Sequence, residues 1–204
     1  MELIVGKDST WSLRVWINLQ IAKTTATELV IDLTHPSAKS EILKYSPAGL
    51  VPVLKTDSIV IHDSLAITEY INELSEGALY PKSLDERALA RSLCAEMHSG
   101  FIALRTNCPF TLIQVAPLSN YGSVMKSKGM KQDIARTEAI FKSATVPFMF
   151  DSASAVDSYF AILAFRLNAY GIHFEGKAGE YQDSLLNWPL LQSAIKQAKQ
   201  WGRN

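Results

Sequence analysis

The chain has 204 residues, enough for one large domain or two small ones, and 48% of them are hydrophobic against 20% charged, which excludes an intrinsically disordered chain. The formal net charge is zero, so the sequence shows no basic footprint of the kind that nucleic-acid binding needs. The charge is still uneven: residues 1–76 hold ten acidic and six basic groups, and the remainder carries the opposite excess. That split predicts two differently built halves and a mild attraction of anions to the second. No run of eighteen apolar residues exists, so no membrane span is expected. Residues 1–20 lack the basic start and long apolar run of a signal peptide, and a cytoplasmic location is the expectation.

In chain order, "ELIVG" (2–6) is a short apolar run ending in Gly and predicts a buried strand. Leu13, Trp16, Ile17 and Ile21 then recur at helical spacing. "ELVID" (28–32) predicts a second strand, "SAKSEILKY" (37–45) a short helix, and "SPAGLVP" (46–52) a loop punctuated by two prolines and a glycine. "PVLKTDSIVIH" (52–62) predicts two strands around a turn at Asp57-Ser58, and "DSLAITEYINELS" (63–75) an amphipathic helix. The order is βαβαββα. A parallel pair with a helical crossover, closed by an antiparallel hairpin, gives a mixed four-stranded sheet with helices on both faces.

"GALYPKSL" (77–84) breaks the pattern with Gly and Pro and predicts a linker. The rest predicts helices over roughly 85–108, 119–143, 154–170 and 189–202. The expected organisation is an α/β domain of thioredoxin-like order over 1–76, the linker, and an all-helical domain over 85–204. "PFTLIQVAPL" (109–118) matches no element. Cys94 and Cys108 fall in one predicted helix, about 21 Å apart at 1.5 Å per residue, too far for a disulfide. They read as core residues in a reducing compartment.

Three stretches have the composition for chemistry. "KDSTWSLRVW" (7–16) places Ser9, Thr10 and Ser12 where a helix follows the first strand. A thioredoxin-like order puts reactive groups at this turn, often as C-x-x-C; here S-x-x-S stands instead, which excludes dithiol exchange at the site. These hydroxyls either cap the helix or donate to a thiolate carried by a ligand. A free thiol has a pKa near ~8.5, and moving it down by about two units takes about 2.7 kcal/mol of preference for the anion. An O–H donor and a helix N-terminus together supply energy of that order.

In "SPAGLVPVL" (46–54), Pro52 either opens a strand or follows a cis bond, in which case the backbone of Val51 faces a cleft and pairs with an extended peptide-like ligand. In "IHDSLAI" (61–67), Asp63 and Ser64 begin a helix. Free N–H groups and the Ser64 hydroxyl suit a ligand carboxylate; Asp63 either holds an ammonium or caps the helix. The topology sets all three stretches along one rim. A thiol-anion donor, a peptide-pairing edge and a carboxylate pocket in a row match glutathione, a γ-linked tripeptide.

On those residues the chain resembles the cytosolic glutathione S-transferases over nearly its full length. "SPAGLVPVLKTDSIVIHDSLAITEYI" is similar to their N-P-x-G-x-V-P-x-L stretch with the following E/Q-S-x-A-I. "STWSLRVW" resembles the start of the serine-type zeta class and related bacterial members, S-S-x-S-x-R-V. "SAVDSYFAILAFR" (154–166) resembles the S-x-x-D capping box of the helical domain.

The resemblance implies a transferase that conjugates the glutathione thiolate to a small hydrophobic electrophile, with glutathione as co-substrate, no metal, and a homodimer. It implies Ser9 as thiol activator, with Ser12 the alternative. Val51, a cis Pro52, Asp63 and Ser64 would bind glutathione, and Lys39, His35 or Lys44 would meet its glycyl carboxylate. The alternatives are a non-catalytic binding module of the same fold and a glutathione-dependent isomerase or peroxidase. Two departures matter: Trp11 stands where the zeta class usually has Cys, and Asp63 replaces the usual Glu or Gln.

In the predicted helix 85–108, His98, Phe101, Ile102 and Arg105 share one face. His98 and Arg105 are candidates for the second-substrate pocket or for an interdomain or dimer contact. His62 has no partner at metal-ligand spacing, and no zinc site is expected. Trp188, Trp201, Tyr159, Phe160 and Phe165 read as core.

Overall fold

The structure is a computed structural model that describes residues 1–115 and 121–202; side chains at 121–123 lie outside the description. Four strands, β1 (Glu2–Gly6), β2 (Thr27–Ile31), β3 (Val53–Lys55) and β4 (Val60–His62), form one sheet in the order β2-β1-β3-β4. β1 and β2 are parallel, Glu2 facing Thr27 through Gly6 facing Ile31. β3 runs antiparallel to both β1 and β4, with Leu54 between Leu3 and Ile61. The helices α1 (Thr10–Ile21), α2 (Ala38–Leu43) and α3 (Ser64–Leu74) complete the order βαβαββα.

The sheet is covered on both faces because its strands alternate two apolar sets. Ile4, Ile31 and Val53 pack with Ala38 and Ile42 of α2. Leu3, Val5 and Leu54 pack with Leu13 and Ile17 of α1 and with Ile67 and Ile71 of α3. This second core continues without interruption into the helical half, whose elements are α4 (Leu84–Ser99), α5 (Ile102–Asn107), α6 (Tyr121–Lys126), α7 (Lys128–Lys142), α8 (Ala155–Ala169), α9 (Gly176–Asn187) and α10 (Pro189–Trp201). Phe141 is its centre, with edge-on rings from Phe160, Phe174 and Tyr181 at centroid distances of 6.0, 5.6 and 5.1 Å. The fold is thus a thioredoxin-like α/β unit followed by an all-helical unit. No helix among the described residues is long and apolar enough to cross a membrane.

Three helical expectations need correction. The stretch 85–108 is two helices, since Gly100 ends α4 and Phe101 takes a left-handed conformation (φ 58°, ψ 38°). Phe101 turns into the core while Ile102 is 64% exposed, so the proposed common face of His98, Phe101, Ile102 and Arg105 does not exist. The spacing argument for Cys94 and Cys108 also lapses with that helix, although both are free and buried. The stretch 119–143 breaks at Ser127, which caps α7 by accepting from Met130 N at 3.3 Å; residues 119 and 120 lie outside the described residues. α9 was not foreseen. Of 109–118, residues 109–115 are irregular and tied to the end of α8 through Val115 N to Ala169 O (3.0 Å), and 116–118 lie outside the described residues.

The capping box of α8 is present. Asp157 Oδ2 accepts from the Ser154 backbone N–H and hydroxyl, both at 2.8 Å, and Oδ1 accepts from Met149 N (2.8 Å) and Tyr181 Oη (2.7 Å).

Candidate functional site

The three stretches converge on one cleft. The chain leaves β1 at Gly6, and Ser9 caps α1: its side-chain oxygen accepts from Ser12 N at 3.2 Å, and its backbone N–H donates to Gly6 O at 3.0 Å. Ser9 is nearly buried. Capping uses an Oγ lone pair and leaves the hydroxyl proton available. Ser12 is fully buried and its Oγ accepts from Gly6 N at 3.1 Å, so this hydroxyl fastens the strand end to the helix. Gly6 also has to be glycine for close approach: a Cβ there would lie 2.7 Å from Val51 Cγ2 and 2.6 Å from Leu33 Cδ1.

A cavity of about 290 Å³ opens beside this turn, lined by Trp11, Ala48, Leu50, Val51, Pro52, His62, Asp63, Ser64 and His98. That is close to the lower end of ordinary ligand sites, ~300 Å³. The Val51-Pro52 bond is cis. Among the described residues neither the N–H nor the C=O of Val51 has a hydrogen-bond partner. Ser64 begins α3, and its buried hydroxyl, though close to the Tyr159 hydroxyl, makes no well-aligned hydrogen bond among the described residues. Buried polar atoms in proteins are nearly always paired, so an orphan in a cavity wall points to a guest.

Asp63 is held at φ 75°, ψ 129°, a conformation that costs a non-glycine residue about 1–3 kcal/mol and tends to mark functional positions. Its Oδ1 accepts from Leu65 N (2.8 Å) and Ala66 N (3.4 Å), and its Oδ2 meets His98 Nε2 at 3.1 Å. Beneath the cavity, Thr68 Oγ1 joins three helices: it donates to Ser64 O (2.8 Å), accepts from Asn18 Nδ2 (2.9 Å) and lies 3.2 Å from Tyr159 Oη.

Trp11 is the wall between the cavity and a set of cations. The guanidinium carbons of Arg14 and Arg105 lie 4.5 and 4.6 Å from its ring centre, and the His98 ring packs edge-on at 5.0 Å. Burial lowers the pKa of Arg14 to about 9, which leaves it cationic at neutral pH, and lowers that of Arg105 as well.

Among the residues singled out from sequence, Val51, Pro52, Asp63, Ser64 and His98 line the cavity; Ser9, Ser12, Lys39 and Arg105 do not. Arg105 instead donates to the carbonyls of Met97 and His98 and closes the α4–α5 turn behind Trp11. Lys39 is exposed on α2, its Nζ 2.8 Å from where a Cβ on Gly49 would lie. Trp11, Ala48, Leu50 and His62 are lining residues that the sequence did not mark as such. The signal for Trp11 was its place inside the S-x-x-S turn. Among the described residues no group of three or more potential ligands is placed to hold a metal.

Fold and cleft together define a thioredoxin-like domain carrying a peptide-sized site at its junction with a helical domain. A family profile described as "Glutathione S-transferase, N-terminal domain" matches residues 8–74. A Caenorhabditis elegans protein named "Probable maleylacetoacetate isomerase" is 37% identical over 93 residues, covering 45% of this chain and 44% of that protein. The chain matches less than half the length of the curated relatives. A glutathione transferase F2 from Populus trichocarpa has the same fold at a TM-score of 0.77 and 18% identity, covering 98% of this chain and 99% of that one. A glutathione transferase homologue from Burkholderia, crystallised with bound glutathione, matches at 0.71 and 21% identity over 98% and 97% of the two chains. Residues 8–74 are thus similar in sequence to the glutathione S-transferase N-terminal domain, and the chain shares the fold of these transferases over nearly its whole length.

Proposed function

We propose that the protein is a glutathione transferase whose cleft holds the tripeptide with its γ-glutamyl end at Asp63 and Ser64 and its backbone against Val51. The observation that carries this reading is the unpartnered set in the cleft: the Ser64 hydroxyl and the Val51 N–H and C=O. A peptide ligand supplies complementary groups for each. Ser9 donates its hydroxyl proton to the cysteinyl sulfur, and the N-terminus of α1 adds positive potential. The thiolate so held attacks a small hydrophobic electrophile on the Trp11 side of the cleft. Lys39 is assigned to the glycyl carboxylate, while His98 belongs to the glutathione side and Arg105 supports Trp11 from behind. The reading includes a homodimer in the cytoplasm; exposed Ile59 and Val60 on the β4 edge supply an apolar surface for a second copy.

The Caenorhabditis elegans relative favours one second reading, a glutathione-dependent isomerase that uses the same thiolate. Calorimetric titration with glutathione, then ultraviolet titration of the bound thiolate and conjugation to an activated aryl halide, tests the proposal. The expected result is binding with a depressed thiol pKa, and in S9A a rate lowered at least about a hundredfold with little change in glutathione affinity. Failure to bind glutathione, or full activity in S9A, refutes it. Turnover of a cis-unsaturated dicarboxylate without net conjugation would select the isomerase.

A further inference from the structure

Asp63 is the point where the helical half reaches into the cleft. Of the roughly four lone-pair positions on its carboxylate, two on Oδ1 are taken by Leu65 N and Ala66 N, which anchor the residue to α3. One on Oδ2 is taken by His98 Nε2 at 3.1 Å. A carboxylate only accepts, so this contact fixes the N–H on Nε2 of His98. The imidazole stands edge-on to Trp11 at 5.0 Å, its Nδ1 is buried without a partner among the described residues, and the main-chain carbonyl of His98 accepts from Arg105 Nη2 at 3.4 Å. Among the described residues, His98 is the one side chain that touches Oδ2. Asp63 and His98 both line the cavity, and their side chains are 44% and 26% exposed.

We infer that His98 is a positioning residue: it fixes the Asp63 carboxylate so that the remaining acceptor capacity of Oδ2 meets the free α-ammonium of a γ-glutamyl ligand. Aspartate is a short side chain. Without an outside donor, its second oxygen is free to rotate away once Oδ1 is committed to the helix cap. His98 removes that freedom from the other half of the molecule, so recognition of the ammonium depends on the two halves being docked. The site thereby discriminates γ-glutamyl peptides from analogues that lack the α-amino group, and the discrimination is set by a residue 35 positions away in the chain. This inference rests on the glutathione reading above.

The test is calorimetric titration of wild type, H98A and H98Q with two ligands, glutathione and glutaryl-cysteinyl-glycine, which is the same tripeptide without the α-amino group. H98A is expected to weaken glutathione about three- to tenfold and to leave the des-amino ligand unchanged. H98Q restores an N–H donor near the Nε2 position and is expected within about twofold of wild type. Should H98A fail to fold, H98N takes its place, since its side chain stops short of Asp63. Equal weakening of both ligands, or loss of affinity in H98Q equal to that in H98A, overturns the inference by showing a merely structural role. Wild-type binding with unchanged affinity in H98A overturns this inference alone; no binding of glutathione to wild type overturns the functional reading as well.

Discussion

The indole N–H of Trp201, in the last turn of α10, donates to Oε2 of Glu28 on β2 at 2.6 Å. Gln197 Nε2 shares that oxygen at 2.8 Å, and Trp16 Nε1 of α1 donates to Oε1 at 2.7 Å. One carboxylate thus ties the end of the chain to the first crossover of the sheet. E28A leaves two indole donors and an amide without their acceptor. It is expected to cost about 2–4 kcal/mol, a fall of roughly 5–12 °C in melting temperature for a chain of this size. E28Q, which keeps one carbonyl oxygen, should lose about half as much. Thermal melts followed by circular dichroism decide it, and an unchanged midpoint in E28A would show the contact to be idle.

Asp157 makes a sharper case, because it is wholly buried and accepts four hydrogen bonds. D157A strands Tyr181 Oη and the Met149 N–H together, and a loss of about 3 kcal/mol or more is expected. Burial raises the Asp157 pKa above the ordinary carboxylate value of 3.8, against the opposing pull of its hydrogen bonds. The sign follows from proton binding. Between the unfolded and the folded pKa the native state holds more protons, so the stability contributed by this titration is complete at the acid end and declines as pH rises through the folded value. The stability difference between wild type and D157N, measured by denaturant unfolding, should therefore move against wild type as pH is raised above the ordinary carboxylate value of 3.8. A difference that moves the other way would place the hydrogen bonds above burial.

Ser12 separates structural from chemical hydroxyls at the start of α1. S12A leaves the buried Gly6 N–H unpaired and is expected to cost about 1–3 kcal/mol while preserving turnover at saturating glutathione. S9A removes a cap of about 1 kcal/mol and, on the function proposed above, the thiol donor with it. A stability loss in S12A with retained rate, set against a rate loss in S9A with modest destabilisation, is the expected crossing pattern. Loss of rate in S12A with intact stability would transfer the activating role to Ser12.

The thiols of the protein itself should be silent. Cys94 and Cys108 are buried, and burial raises the pKa of both. No fast reaction with an aromatic disulfide is expected in the native state, with two equivalents released on unfolding. A native thiol that reacts within seconds would reopen cysteine-based transfer.

Much of the cleft was legible because it is written in local chemistry. Pro52 after the Gly49 turn, Asp63 at a helix start and Ser64 after it are positions where loop and cap rules act over a few residues, and the strand order brings them to one rim. The contacts that join the halves were not legible. His98 meets Asp63, and Trp201 meets Glu28, across separations that no spacing rule addresses. The α4–α5 break depends on Phe101 adopting a left-handed backbone, which a large aromatic residue does not advertise. α9 was missed because Gly176 and Gly179 weaken its first turn by propensity. Packing supplies what propensity lacks: Ala178, Tyr181 and Leu185 are fully buried, and a Cβ on Gly179 would lie 2.4 Å from Phe174 O.

Arg14 breaks the rule that buried charges are paired. Its side chain is 1% exposed, and Nε and Nη1 have no hydrogen-bond partner among the described residues. The guanidinium is held between ring faces, 4.5 Å from the Trp11 centre and 4.8 Å from the Tyr159 centre. Two desolvated cation–π contacts return about 2 kcal/mol each, against a desolvation cost of several kcal/mol for the ion. R14M keeps the length and removes the charge, so its stability is expected to be unchanged or up to about 4 kcal/mol higher than wild type at neutral pH. Burial lowers the Arg14 pKa from 12.5 to about 9, so above pH 9 the unfolded chain binds the proton more tightly than the folded one, and wild-type stability recovers as pH rises through that window. The gap between R14M and wild type should accordingly narrow between about pH 8 and pH 10 in paired denaturant titrations. A marked loss of stability in R14M at neutral pH would mean that the two aromatic faces more than offset the buried charge.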